Sequence, residues 1–525
     1  MPLPVAVMSR GGYIALAMSD VPKTSPQTSH PETPSESAHA HGAPIEKSTS
    51  PLAGMKIHVL TFGCQMNKYD SEMVAGLLQN GKVEFVEDLD SANALIINTC
   101  SVRGHAEDRV YNRLHLLKAR KRRDPSFVLA VMGCMAQKEG EQIARKFPWV
   151  DLVVGTRMLD QFPSLLARVR EGEPTPLLAI DHKPMVSFGE TVARRENKSL
   201  AYLAVMRGCN KRCTYCVVPF TRGPEISRPI AEIVTEARRL VDDGVIEIML
   251  LGQTIDTYGR DLAGTEAGTT LLAGTEAGTT LLAGAEAGAT LSAGRDAGTT
   301  LSGLLRALCQ IDGLRRIRFI TSHPRECRPE LFATMAELSE KVMPFVHMPP
   351  QSGSDRMLKR MARGYTRQRY VDVISAAREA CPQVEFCGDW IVGFSGETEE
   401  DFAQSLSLLE QVRFQHSFVF KYSVREGTPA QKLPDDVPEE VKKQRHAILA
   451  EAQERISLEK NQARVGQIED VLVECVSKSN AARLTGRTST YRLIHFPGDA
   501  ELIGKIVRVK VVSATALALT GELQT

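Results

Sequence analysis

From Met55 onward, short apolar runs alternate with longer amphipathic stretches. "MKIHVLTF" (55–62), "ALIINTC" (94–100), "FVLAVMGC" (127–134) and "VDLVVGT" (150–156) are each of strand length. Between them apolar residues recur at helical intervals. Strands covered on both faces read as unbroken apolar runs, so this spacing predicts a parallel, Rossmann-like α/β domain over residues 54–172.

A second series of the same kind follows. "LAYLAVMRGC" (200–209), "EIMLLGQT" (247–254), "RIRFITSHP" (316–324), "PFVHMPPQSGS" (344–354), "EFCGDWIVGFSGET" (385–398) and "HSFVFKYSVREGTPA" (416–430) each end in Gly, Cys or polar residues before a helical stretch. This predicts a partial (β/α) barrel over 195–457, with its active groups on the loops after the strands. A polar helix over "EEVKKQRHAILAEAQERISLEKNQARV" (439–465) leads into a β-rich tail. There "EDVLVECV", "YRLIHF", "KIVRVKVVSA" and "ALALTGEL" predict a small OB-like β-barrel over 458–525. The chain is thus an α/β multidomain protein.

Two segments fall outside these patterns. Residues 1–53 are rich in Pro, Ser, Thr, His and Ala, a composition that cannot bury enough apolar surface to offset ordering entropy, and are expected to be a disordered extension. Residues 262–301 repeat a decapeptide four times, as in "LAGTEAGTTL". Ten residues is shorter than solenoid periods and bulky apolar content is low, so this reads as a flexible insertion in the barrel, emerging on its active face.

Composition narrows the class. Lys+Arg 64 against Asp+Glu 63 gives a net charge of +1, so nucleic-acid binding cannot be argued from overall charge. Local clusters remain: "RVYNRLHLLKARKRR" (109–123), and Arg483, Arg487, Arg492, Lys505, Arg508 and Lys510 in the tail. A solvated helix terminus explains the first cluster as well as RNA contact does. No apolar run is long enough for a membrane span, and no strong secretory signal accompanies the eleven cysteines. A cytoplasmic protein with reduced thiols and no membrane partner is expected.

The cysteines carry the chemistry. Cys209, Cys213 and Cys216 form C-x3-C-x2-C, a ligand spacing one short of a closed tetrahedral site. Zinc needs a fourth ligand, and no nearby Cys or His has the usual spacing; an iron–sulfur cluster fits better. Three further cysteines, Cys64, Cys100 and Cys134, each end a predicted strand of the first domain. Ligands gather beyond the carboxyl ends of parallel strands, so these thiols should meet at one edge. Cys309, Cys327, Cys381, Cys387 and Cys475 have no such pattern and read as structural.

With its C-x3-C-x2-C at the end of the first barrel strand, the chain resembles the radical SAM superfamily. "TFGCQMNKYDSE" (61–72), "NTCSVRGHAEDRV" (98–110), "GCMAQKEGE" (133–141) and the tail "LTGRTSTYRLIHF" further resemble the methylthiotransferases, whose C-terminal barrel is the TRAM domain. The motifs are closest to the branch acting on N6-(dimethylallyl)adenosine at position 37 of tRNAs that read codons beginning with U. The resemblance covers nearly the whole chain from about residue 55.

This resemblance implies two [4Fe–4S] clusters, an auxiliary one on Cys64, Cys100 and Cys134 and one exchangeable with S-adenosylmethionine (SAM) on Cys209, Cys213 and Cys216. It implies radical activation of adenine C2, with sulfur supplied from the auxiliary cluster. It places SAM near Gln253, Ser322, Gln351, Gly393 and Glu397, and makes the anticodon stem-loop of tRNA the partner. An electron donor such as flavodoxin or ferredoxin, an unidentified sulfur donor and a monomeric state complete the expectation. Thr254, Ile255, Pro350, Ser395 and Glu426 depart from the family's usual motifs, which bears on substrate contacts rather than on cluster ligands. Three other readings stand beside this one: action on threonylcarbamoyl-adenosine tRNA, action on a ribosomal-protein aspartate, or a non-catalytic, metal-stabilised RNA-binding protein.

Overall fold

A computed structural model describes residues 50–101, 104–180, 195, 197–262, 299–478 and 480–524, with the backbone alone at 104–106. Residues 1–49 and 263–298, which hold most of the expected extension and decapeptide repeat, lie outside the described residues.

The first unit runs β1 (Lys56–Thr61), α1 (Gln65–Gln79), β2 (Glu84–Phe85), β3 (Ala94–Thr99), α2 (Gly104–Arg123), β4 (Val128–Gly133), α3 (Cys134–Lys146), β5 (Leu152–Gly155), α4 (Phe162–Arg170) and β6 (Leu177–Ala179). Its sheet has the order β2-β1-β3-β4-β5-β6, and all of its pairings are parallel. Every residue of β3 and of β4 is buried, as unbroken apolar runs require. Ala94 and Ile96 pack with α1 and α4, while Leu95 and Ile97 pack with α2 and α3. Residues one position apart thus serve opposite layers.

The second unit runs β7 (Leu200–Ala204), β8 (Met206–Arg207), α5 (Val218–Arg222), β9 (Ile226–Ser227), α6 (Ile230–Asp242), β10 (Glu247–Leu251), α7 (Leu301–Cys309), β11 (Arg316–Phe319), α8 (Pro329–Glu337), β12 (Phe345–His347), α9 (Asp355–Arg360), α10 (Arg367–Ala380), β13 (Glu385–Val392), α11 (Glu399–Val412), β14 (His416–Lys421) and α12 (Glu439–Gln462). Two three-stranded parallel sheets, β7-β10-β11 and β12-β13-β14, meet at a parallel bridge between Ile317 and Val342. They form the parallel α/β core of the partial barrel. Its strands are shorter than their apolar runs: β12 stops at His347 because Pro349 and Pro350 have no amide to donate. On its other side, the α1 face of the first sheet packs on Ala204, Met249 and Leu251 of the barrel.

The last unit is a closed barrel ordered β15-β16-β17-β19-β18, from β15 (Ile468–Val476), β16 (Arg483–Thr488), β17 (Leu493–Pro497), β18 (Ile506–Ala514) and β19 (Leu519–Leu523). A charged seam docks it beneath the larger barrel. Arg318, wholly buried, pairs with Glu247 at 2.8 Å and donates to the carbonyls of Thr488 and Ser489. Arg316 donates to the carbonyls of Arg487 and Asp470. No helix among the described residues is long and apolar enough to cross a membrane.

Candidate functional site

The first cysteine set follows from the sheet. Cys64 caps α1 directly after β1, Cys100 follows β3, and Cys134 opens α3 directly after β4. Because β1, β3 and β4 are neighbours, the three sit at one carboxyl edge. Two of them, Cys64 and Cys134, lie at helix N-termini. Gly133 makes the turn into Cys134 possible: its φ is +100°, and a Cβ there would lie 2.3 Å from Asn98 Oδ1. Gly63, before Cys64, has φ +121° and abuts Cys100 in the same way.

Beneath these thiols lies a closed polar network. Cys64 Sγ donates to Asn67 Oδ1 at 3.3 Å, and Asn67 Nδ2 donates to Asn98 Oδ1 and to the Thr99 carbonyl. Asn98 Nδ2 returns bonds to the Asn67 carbonyl and Ser71 Oγ. Burial pushes the Cys134 thiol up, and the Arg222 guanidinium beside it pulls it back. Arg222 comes from the second unit, at the end of the helix that begins two residues after Cys216. It reaches across to Asp70 Oδ2 at 2.8 Å.

The second set lies at the mouth of the barrel, after β7 and β8. Each sulfur faces a donor. Cys209 Sγ is 3.3 Å from Thr254 Oγ1 and accepts from the Lys211 amide at 3.4 Å. Cys213 Sγ accepts from Arg363 Nη1 at 3.4 Å, and Cys216 Sγ from the Val218 amide at 3.5 Å. Burial pushes the Cys216 thiol up to about 12, with Cys213 adding to the effect. Burial also raises Cys209, against the bonds from Thr254 and Lys211. Gly208, before Cys209, has φ +78° and lies so close to the Pro224 carbonyl that a Cβ would fall 1.8 Å from its oxygen.

Such thiols suit a metal cluster as partner. Thiols that burial holds protonated, as at Cys134, Cys209 and Cys216, ionise when iron takes the proton's place, and donors already facing them stabilise the resulting charge. Among the described residues no three His, Cys, Asp or Glu side chains are set to hold a single metal ion. Thr254, one of the departures from the family motifs, proves to be a neighbour of Cys209.

The residues read from sequence as SAM contacts lie on the loops after four barrel strands. Gln253 follows β10, and its Oε1 is buried without a partner among the described residues. Ser322 follows β11 and donates to Asp256 Oδ1 at 3.1 Å. Gln351, with φ +68°, follows β12 and bridges to Trp390. Gly393 follows β13 and donates its amide to Glu397 Oε2, whose carboxylate also pairs with Arg445 at 2.9 Å. Burial raises the Glu397 carboxyl, against the Gly393 amide and Arg445.

Of the basic residues singled out in the sequence, several are committed to structure. Arg120 donates to the Ala92 carbonyl, and Lys121 pairs with Asp151 at 2.8 Å. Arg492 pairs with Glu385, while Arg487 packs over Tyr491 and pairs with Glu474. Arg122, Arg123, Arg483, Lys505, Arg508 and Lys510 are exposed. Arg222, Asn67, Asp70 and Arg363 went unread as site residues, although Asn67 and Asp70 stand within the quoted "GCQMNKYD".

Comparison with known proteins accords with this arrangement. Residues 56–155 match the uncharacterized protein family UPF0004, residues 203–409 the radical SAM superfamily, and residues 462–523 the TRAM domain. A tRNA-2-methylthio-N(6)-dimethylallyladenosine synthase of Clostridium botulinum (strain Loch Maree / Type A3) is 40% identical over 464 residues, 88% of this chain and 95% of that protein. Its namesake from Moorella thermoacetica is 41% identical over 475 residues, 89% of this chain and 97% of that one. A solved radical S-adenosylmethionine methyltransferase from Kitasatospora setae aligns with a TM-score of 0.49 at 12% identity, over 72% of this chain and 77% of that one. With two domain families and a TRAM domain in this order and such identity over nearly the full length of its relatives, the chain belongs to the radical SAM methylthiotransferases of the tRNA-2-methylthio-N(6)-dimethylallyladenosine synthase family.

Proposed function

We propose that the chain converts N6-(dimethylallyl)adenosine at position 37 of tRNAs that read codons beginning with U into its 2-methylthio derivative. The observation that carries this reading is the 40% identity to synthases of that name over 95% of their length. The two cysteine sets support the chemistry. Cys209, Cys213 and Cys216 would hold one [4Fe–4S] cluster with SAM, and Cys64, Cys100 and Cys134 an auxiliary cluster. When bound, these groups supply the radical that removes hydrogen from adenine C2 and the methylthio group that replaces it.

The chain's own residues bind, orient and shield. Thr254, Lys211, Arg363 and Val218 present hydrogen-bond donors to the second triad, which tunes its basicity and fixes its sulfurs. The orphaned Oε1 of Gln253 is an acceptor suited to the amino group of SAM. Arg222 spans from the segment of one triad to the thiols of the other, so the two halves of the reaction share one positioning group. A base in an anticodon loop leaves its stack at small cost, and the exposed Lys505, Arg508 and Lys510 of the C-terminal barrel supply charge for the tRNA backbone. A reductant such as flavodoxin or ferredoxin belongs to this reading.

The test is nucleoside mass spectrometry of tRNA from a strain lacking this gene and from the same strain carrying it again. Loss of 2-methylthio-N6-isopentenyladenosine with accumulation of the unthiolated nucleoside, reversed on complementation, is expected. An unchanged 2-methylthio nucleoside in the deletion strain, with no second copy of the gene present, would overturn the assignment.

A further inference from the structure

Beside the second cysteine triad lies a donor that the reaction as described above does not use. His323 is 5% exposed, on the loop after β11, and its Nε2 is buried with no partner among the described residues. Its other nitrogen is occupied: Nδ1 accepts from the Arg325 amide at 3.3 Å. Burial, reinforced by Arg363, Lys211 and Arg325, lowers its pKa to about 2, so the ring is neutral. A neutral imidazole whose Nδ1 accepts must carry its proton on Nε2. An orphaned buried N–H costs the fold free energy unless something accepts from it.

The surroundings say what kind of acceptor. Three cations face the ring, and two of them belong to the triad's own neighbourhood: Arg363 donates to Cys213 Sγ, and Lys211 stands between Cys209 and Cys213. Lys211 and Arg325 are paired with Glu326, but Arg363 has no carboxylate partner among the described residues, and its free charge beside the convergent N–H favours an anion. The ring is held firmly for the task. The His323 amide donates to Asp256 Oδ2 at 2.6 Å, its carbonyl accepts from the amides of Glu326 and Cys327, and Tyr365 packs edge-on at 5.5 Å. Asp256 lies on the loop that also carries Gln253, whose orphaned Oε1 is an acceptor. An orphaned acceptor and an orphaned donor, on neighbouring loops tied together by Asp256, are the complement of an α-amino and an α-carboxylate group.

We propose that His323 Nε2–H binds the carboxylate of S-adenosylmethionine, as a positioning contact supplied from the loop after the third barrel strand. This inference rests on the radical SAM reading of the site. The experiment compares cluster-reconstituted wild type, His323→Ala and His323→Gln. It measures equilibrium binding of SAM and of decarboxylated SAM, together with the change SAM makes in the electron paramagnetic resonance spectrum of the reduced cluster.

Loss of one buried bond to a charged group should weaken SAM binding to His323→Ala by about tenfold or more. Decarboxylated SAM should bind wild type and His323→Ala equally, and His323→Gln, which restores an N–H donor, should recover most of the SAM affinity. Iron content should be the same in all three. Equal losses for SAM and its decarboxylated analogue, or no loss for either, would overturn the proposal. If wild type itself binds SAM without any spectral change, the radical SAM reading fails instead.

Discussion

Arg222 Nη2 lies 2.8 Å from Asp70 Oδ2, and the two residues belong to the helices that follow Cys216 and Cys64. Each triad therefore has one helix springing from it, and a buried ion pair joins the two helices. Asp70 is fully buried and Arg222 nearly so, which makes this pair sensitive to removal of either partner. Arg207, 3.8 Å from Asp70, is too distant to replace Arg222 fully.

Arg222→Met should cost about 3 kcal/mol of stability in the first unit, because it leaves the Asp70 charge buried and poorly matched. Urea unfolding followed through Trp149 fluorescence checks this, Trp149 and Trp390 being the two tryptophans of the chain. Arg222→Met with Asp70→Asn should lose less than the sum of the single losses. Equal additive losses would show that the pair is not coupled.

The two cysteine sets were legible because one is a local motif and the other stands at three strand ends, which parallel topology gathers without further information. Arg222 and Arg363 were not, since what makes them part of the site is a partner far away in the chain. Arg222 meets Asp70 across 152 positions and Arg363 meets Cys213 across 150. Charge in the sequence also does not show commitment: Arg487 and Arg492, members of the tail's basic cluster, both form ion pairs within or beneath the small barrel. The edge strands β2 and β6, two and three residues long, are too short to show a periodicity.

Gly133→Ala should separate the two cysteine sets. At φ +100° with a Cβ 2.3 Å from Asn98 Oδ1, alanine must displace the network under Cys64 and Cys134. Anaerobically reconstituted Gly133→Ala should hold about half the wild-type iron, four rather than eight atoms on the two-cluster reading. Gly427→Ala is the control: its φ of +80° carries the left-handed strain of about 1 kcal/mol, but nothing lies within 4 Å of its Cβ. It should retain full iron, and a matching loss there would attribute the effect to strain alone.

Arg318→Met should loosen the C-terminal barrel from the core. It leaves Glu247, 1% exposed, with only the Arg316 guanidinium at 3.8 Å, and removes the donor to two carbonyls of the β16–β17 turn. Loss of about 3 kcal/mol is expected for a buried carboxylate left poorly matched. Limited proteolysis should then cleave between α12 and β15 faster than in wild type. Arg318→Met with Glu247→Gln should be protected again in part, whereas unchanged cleavage in the single variant would show that the seam does not hold the domain.

Asp401 provides the pH test. Burial pushes its carboxyl up, but the ion pair with Arg356 and the bonds from Ser354 and Thr398 outweigh burial and hold it below the usual carboxylate range. It also completes the capping box of α11, which fixes the loop carrying Gly393 and Glu397. With the folded pKa below the unfolded one, the unfolded chain binds the proton first. The stabilisation is therefore complete above the ordinary aspartate pKa and is lost as pH falls below it. In metal-free protein, Asp401→Asn should lower the urea midpoint of Trp390 fluorescence at pH 7. The gap from wild type should narrow steadily as pH falls from about 4 toward 2. A gap that stays constant with pH would mean that Asp401 acts through its shape and hydrogen bonds alone, and not through its charge.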